Sequence, residues 1–485
     1  MSIILDMEKK KIIGREKECE RLEECLNEDA AQLIVVYGRR RVGKTYLINR
    51  FFDNTFAFKL TGAYNQPKKD QLRNFTSELE RKSKQKVKRP ADWIEAFQRL
   101  REYLEKLPEE EKQIVFFDEM PWLDTNRSGF LDAFEWFWND FGCARSNLVF
   151  IVCGSATSWM VEHINKNKGG LFNRHTCRLY LNPFTLSEVK EYLESKGFLW
   201  SFYNIVECYM IMGGIPFYLS LLKKKLSLSQ NIDRLFFEEK GELWDEFGNL
   251  YAALFSDSDA YIRIVMALSE RQGGLSRNEI IENTGIPSNG ALSKILTNLV
   301  DSGFVRIQLF YGKKKKDAKY QLADYYTAFY FHFIKDNYGK DENYWSHSVD
   351  NPSRRVWEGL TFEQVCKDHI RQIKKALGIS GVLTEESIWN TLSDDEKGIN
   401  GAQIDMVIER RDRVINLCEI KFSRDAFVID KSYDMVLRNK ISSFVNSTKT
   451  KASIQLTMIT TYGIKKTMYS GLVTNEITLE DIFTQ

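Results

Sequence analysis

Two groups of residues have types and spacings that could do chemistry. The first begins with Gly38-Arg39-Arg40-Arg41-Val42-Gly43-Lys44-Thr45, followed by Tyr46, and fits the pattern G-x-x-x-x-G-K-[ST]. Two glycines let the backbone curl until its N–H groups converge on a polyanion. Lys44 adds a point charge for β- and γ-phosphates, and the Thr45 hydroxyl suits one coordination position of Mg²⁺. Asp118 and Glu119, delivered by the apolar run 113–117, are placed to hold that metal through water and to orient an attacking water, respectively. Ser155, beyond the run 147–153, would sense the γ-phosphate. Arg174, closing Gly169-Gly-Leu-Phe-Asn-Arg174, is suited to stabilise transition-state charge, in cis or across a subunit boundary.

The second group lies near the C-terminus. Asp405 sits in the strand-like segment 401–408, and Glu419 and Lys421 sit in 414–422. Period two puts Glu419 and Lys421 on one strand face with Ile415 and Leu417. Two carboxylates on adjacent strands can ligate Mg²⁺, while a lysine orients or helps deprotonate water and screens a phosphate. That set is what hydrolysis of a phosphodiester asks for. The short charged segment 409–413 suits a hairpin joining the two strands.

The elements that must position these groups are legible in outline. Residues 33–37 read as a buried strand feeding a helix from Tyr46 to Phe52, whose N-terminal end favours a phosphate. A helix is expected over 12–27, with Leu22, Cys25 and Leu26 on its apolar side, and further strands over 56–60, 113–117, 147–153 and 177–181. The basic run 82–89 reads as a solvated helix end or loop. Helical residues 186–225 follow, interrupted by Gly213-Gly-Ile-Pro216. Ser276-Arg-Asn-Glu279 is a capping box, a second helix spans about 289–301, and strands at 304–310 and 318–322 flank Lys313-Lys-Lys-Lys316. Helix-turn-helix plus a basic hairpin is a winged helix, with the lysines contacting DNA phosphates and only Lys294 and Asn298 as long polar residues on the reading helix. A last helix is expected from Trp357 to Leu377, with Leu360, Val365, Ile370, Ile373 and Leu377 as its core face and Glu363 near its start.

Composition sets the bounds. A chain of 485 residues exceeds one core, and 43% hydrophobic with 28% charged residues describes an ordinary soluble globular protein. A net charge of +2 means any basic footprint is local. Eight scattered cysteines without a C-x-x-C pair, and five separated histidines, argue against a disulfide framework or zinc site. The N-terminal residues MSIILDMEKKK lack an apolar signal core, and no stretch is apolar enough to span a membrane, so a cytoplasmic location is expected.

The set Ile13-Gly-Arg-Glu16, GRRRVGKT, IVFFDE, the CGS strand end, GGLFNR and GGIP is similar to the archaeal-type AAA+ ATPases, P-loop enzymes of the additional-strand class related to STAND ATPases. The similarity covers about residues 10–240 and implies a strand order 5-1-4-3-2 and a small helical lid carrying the GGxP turn. No arginine stands beside GGIP as a second sensor. Residues 355–485 resemble the PD-(D/E)xK nuclease domain, which implies that Glu363, Asp405 and Glu419 ligate a metal and that Glu419 and Lys421 are the E-x-K pair. The expectation is therefore an α/β multidomain chain. Its parts would be an AAA+ P-loop core (1–185), a helical lid (186–255), a winged helix (256–350) and a restriction-endonuclease-like α/β domain (351–485). ATP and Mg²⁺ are the expected cofactors, and DNA and a second copy or protein partner the expected partners. The expected function is ATP binding and hydrolysis coupled to a Mg²⁺-dependent nuclease acting on DNA. Competing readings are a STAND-like nucleotide-driven switch whose last domain docks a partner, and a DNA-binding regulator with an inactive nuclease fold.

Overall fold

Continuous apolar strands need cover on both faces, and a parallel sheet between helices supplies it. In this computed structural model, which describes residues 12–155, 157–165, 174–255, 257–337, 339–393 and 401–484, the chain forms two compact units divided between Pro183 and Phe184. The first runs α1 (Glu16–Asn27), β1 (Gln32–Gly38), α2 (Lys44–Phe51), β2 (Phe58–Thr61), α3 (Lys68–Ser83), α4 (Trp93–Leu104), β3 (Gln113–Asp118), α5 (Phe130–Asp140), β4 (Leu148–Gly154) and β5 (Cys177–Leu181). The strands are parallel in the order β2-β3-β4-β1-β5, which is the expected 5-1-4-3-2 arrangement. Side chains of α3, α4 and α5 fill one face with interlocking aromatic rings, Phe97 lying 5.8 Å from Phe117 and Phe134 5.1 Å from Phe150. The first helix starts at Glu16 rather than at residue 12, because Gly14 turns the chain at φ 66°. Residues 1–11 and Gly169 to Asn173 lie outside the described residues.

The second unit opens with α6 (Leu186–Ser195) and α7 (Phe202–Met212), closed by Gly213 and Gly214 at φ 64° and 65°. A methyl group on Gly214 would collide with the Phe184 carbonyl. After shorter helices over Pro216–Ser220, Leu228–Ile232 and Glu246–Leu254 come α8 (Ser258–Ser269), α9 (Arg277–Thr284) with its Ser276–Glu279 capping box, and α10 (Gly290–Asp301) capped by Asn289. The antiparallel hairpin β6 (Val305–Gln308) and β7 (Lys319–Leu322) follows. Both strands are shorter than expected. Leu309 and Tyr311 leave the hairpin to bond Ile388 through O···N 3.0 Å and N···O 2.8 Å contacts, which covers an otherwise open sheet edge.

The last segment contains α11 (Pro352–Asp368), α12 (Ile370–Ala376), β8 (Thr384–Thr391), β9 (Ala402–Arg410), β10 (Val414–Lys421), α13 (Lys431–Thr448), β11 (Ser453–Thr460) and β12 (Asn475–Ile477), with a short helix over Leu479–Ile482 after it. Its sheet has the order β12-β11-β10-β9-β8, with β9 antiparallel to β10. The helix expected to run unbroken from 357 to 377 breaks at His369. There the imidazole is fixed by Val365 O at 2.8 Å and by the Leu186 N–H at 2.9 Å. That break shifts the helical phase. Val365 and Ile373 are buried as expected, but Leu360, Ile370 and Leu377 are only half-buried, and Trp357, Phe362 and Cys366 complete the core face.

One guanidinium joins the segments of this unit. Arg354 on α11 pairs with Glu207 on α7 and with Glu358 at 2.9 Å, and lies 3.7 Å over the Trp345 ring. The segments expected over 186–255, 256–350 and 351–485 accordingly pack as one body. Among the described residues no helix is long and apolar enough to cross a membrane. Gly214→Ala should destabilise this unit by at least about 1–3 kcal/mol, the cost of a non-glycine residue in the left-handed region before the clash is added. Urea unfolding of wild type and variant measures it, and equal midpoints would contradict the close approach.

Candidate functional site

The phosphate loop is shaped by three left-handed residues between β1 and α2. Gly38 has φ 142° and abuts Leu181 of β5, where a methyl group would strike the carbonyl; Arg41 has φ 72° and Gly43 φ 91°. Lys44 starts α2 with its ammonium buried and donating to Gly38 O at 3.0 Å and Arg39 O at 2.8 Å. Burial pulls its pKa down. These carbonyl contacts can be exchanged for phosphate oxygens. Val42 is buried, Arg40 half-buried and Tyr46 exposed.

Thr45 donates to Asp118 at 3.0 Å. Burial, then the charge of Glu119, pushes the Asp118 carboxyl up. Mg²⁺ normally takes one or two protein oxygens together with substrate phosphates and water, and the paired Thr45 hydroxyl and Asp118 carboxylate fit that need. Glu119 takes the left-handed conformation at φ 47°, and its carboxylate accepts from Ser155 N at 3.1 Å and Ser155 Oγ at 2.8 Å. The two groups expected to act separately on water and on the γ-phosphate are thus bonded to one another. Arg174 is exposed in the turn before β5.

Sequence reasoning overlooked the individual role of Arg15. Its buried guanidinium donates to Val42 O at 3.0 Å in the loop and to Asn182 O at 2.8 Å beyond β5. The signal was present: an arginine between Gly14 and a helix start stands where a small capping residue is usual.

A second cluster is built on β9 and β10. Their register pairs Cys418 with Met406, and one further step sets Glu419 opposite Asp405. Asp405 accepts from the Ile420 N–H at 3.0 Å. Its carboxyl is pushed up by burial and then by Glu419. Glu363 on α11 joins the same field and is raised to about 7 by burial and then by Asp405. Burial would raise Glu419 too, but Lys421 at 2.9 Å and Lys440 at 2.6 Å outweigh it and hold this carboxyl down. For Lys421 burial acts downward, and the charges of Glu419 and Asp405 hold its pKa above the usual lysine value. Tyr433 donates to Glu419 at 2.6 Å. Lys440 and Tyr433, both on α13, were not expected; their seven-residue spacing, two helical turns, puts them on one face. Among the described residues no three of His, Cys, Asp or Glu are grouped to hold a metal, so the candidate ligands are the pair Asp405 and Glu419, with Glu363 beside them. Away from this cluster, Asn298 on α10 donates to the Tyr261 hydroxyl at 2.8 Å, which engages it within the fold.

Lys44→Ala should abolish nucleotide binding by calorimetry. Glu119→Gln should bind and retain ATP while hydrolysing it about 10²–10⁴-fold more slowly, the usual contribution of a group that handles the attacking water's proton. A Glu119→Gln protein turning over at the wild-type rate would remove that residue from the reaction.

Residues 12–222 match a family described as an ATPase domain predominantly from Archaea. An uncharacterized protein of Methanocaldococcus jannaschii is 26% identical over 366 residues, 75% of this chain and 78% of the relative. An uncharacterized ATP-binding protein of the same organism is 55% identical over 42 residues, 9% of this chain and 71% of the relative. Among solved structures, the Walker-type ATPase PABY2304 of Pyrococcus abyssi is 21% identical, covering 66% of this chain and 96% of its own, with a TM-score of 0.47. With their glycine loop, buried lysine and paired Thr45 and Asp118, residues 12–222 form an ATPase domain of the family found predominantly in Archaea.

Proposed function

We propose that ATP hydrolysis in the first unit governs a Mg²⁺-dependent nuclease in the second, acting on DNA. In the ATPase, Gly38 to Tyr46 cradle the triphosphate, Thr45 and Asp118 hold the ion, Glu119 and Ser155 meet the water and γ-phosphate, and Arg174 supplies charge to the transition state. The observation that carries the nuclease reading is the pairing of Asp405 on one strand with Glu419 and Lys421 on its antiparallel neighbour, with Glu363 of α11 within the same electrostatic field. When bound there, a divalent ion would polarise the phosphodiester and lower the pKa of a coordinated water. Lys421 then orients that water and screens the phosphate. Residues 256–350 serve as a winged helix. Lys313 to Lys316 are exposed at its hairpin tip, and the engagement of Asn298 with Tyr261 favours backbone over base contacts.

One observation favours a second reading, a DNA-binding regulator with an inactive nuclease fold. Both Glu419 oxygens already accept strong donors, from Lys421, Lys440 and Tyr433. The pure protein incubated with linear, branched and single-stranded DNA, with Mg²⁺ or Mn²⁺ and with or without ATP, separates the two. Cleavage that disappears in Asp405→Asn and Lys421→Ala while ATP hydrolysis persists supports the nuclease. Tight binding without any cutting supports the regulator. Replacing Lys313 to Lys316 by alanine should weaken DNA binding evenly across sequences and flatten the salt slope by up to ~4, about one counterion per lost phosphate contact. An unchanged slope would remove the hairpin from the DNA interface.

A further inference from the structure

Charge balance in the β9–β10 cluster leaves little room for a dication. Glu363, Asp405 and Glu419 supply three carboxylates, and Lys367, Lys421 and Lys440 supply three ammonium groups that act on them. The two lysines bonded to Glu419 are not equivalent. Lys421 extends from the same strand and bonds Oε1 at 2.9 Å, an oxygen it shares with the Tyr433 hydroxyl. Lys440 reaches in from α13 and alone bonds Oε2, at 2.6 Å. Its side chain is 18% exposed while that of Glu419 is 3% exposed, so Lys440 is less deeply buried than the carboxylate it bonds. A four-carbon stem lets the ammonium swing without moving α13.

On the nuclease reading above, we propose that Lys440 is a further catalytic residue of this site. In the free protein it neutralises Glu419 and occupies the oxygen a divalent ion needs. When the phosphodiester arrives, its non-bridging oxygen offers the ammonium a new anionic partner, and Lys440 moves from Glu419 Oε2 to that oxygen. Lys440 forms and breaks no covalent bond; it exchanges one charge-assisted hydrogen bond for another. Ion loading is thereby tied to substrate loading, so the free protein holds the ion weakly.

Mn²⁺ binding to the full chain without nucleotide, followed by electron paramagnetic resonance, tests this. The Mn²⁺ bound by wild type and lost in Asp405→Asn defines the cluster site. Lys440→Met should bind Mn²⁺ there at least about tenfold more tightly, because a competing cation 2.6 Å from a ligand oxygen is gone, yet cleave DNA at least about 100-fold more slowly. Lys440→Gln, which keeps a polar contact to Glu419 without the charge, should repeat both effects if the methionine variant folds poorly. Tyr433→Phe, which removes only a neutral donor, should leave Mn²⁺ affinity within about twofold. Equal Mn²⁺ affinity in wild type and both Lys440 variants, with cleavage intact, would overturn the role of Lys440 and leave the nuclease standing. Absence of any Mn²⁺ site sensitive to Asp405→Asn even in the Lys440→Met and Lys440→Gln backgrounds would overturn both.

Discussion

A buried ammonium cannot stay buried alone, and the first unit is arranged around that constraint at Lys44. Its partners are main-chain carbonyls, so the loop must present Gly38 O and Arg39 O inward. That geometry requires left-handed backbone at Gly38, Arg41 and Gly43. It also requires an anchor, because strained loops persist only where the surroundings determine them. Arg15 provides one by bonding Val42 O and Asn182 O together, and the contact of Gly38 with Leu181 provides another. β5 therefore acts as a wall against which the loop is pressed.

The same constraint recurs at Glu419, with the sign reversed. Here the buried group is an anion, and side chains rather than carbonyls answer it. The difference matters for chemistry. Backbone carbonyls are fixed, and leave Lys44 ready to turn to an incoming phosphate. Lysine side chains are mobile and would compete with any other cation for the carboxylate.

Local patterns carried most of the first unit. The strand runs 113–117 and 177–181, the glycine loop and the Asp118-Glu119 pair all announce themselves within ten residues, and the structure sets them within a residue or two of where they were expected. The β9–β10 hairpin was equally legible, since turn length and period two fix the register. What stayed hidden was long-range. The break at His369 depends on the Leu186 N–H, nearly two hundred residues upstream, so helical periodicity alone carried the helix through it. Lys440 and Tyr433 lie on α13, and only packing reveals that Glu419 is their partner. The bond between Glu119 and Ser155 likewise joins two strand ends that no short window spans.

The Arg354 clamp has a consequence for how such chains evolve. Glu207 belongs to the segment that the sequence assigns to the ATPase lid, and Arg354 and Glu358 belong to the first helix of the last module. Exchange of that module between related genes at a breakpoint near residue 350 would bring a foreign helix against Glu207. Without an arginine at the matching position, a carboxylate would be stranded in the interior, which is among the most destabilising of single changes. A compatible donor would need the same arginine, or would need to bring α7 along with α11. A chimera that moves α7 and α11 together should therefore keep the ion pair, whereas one that separates them loses it.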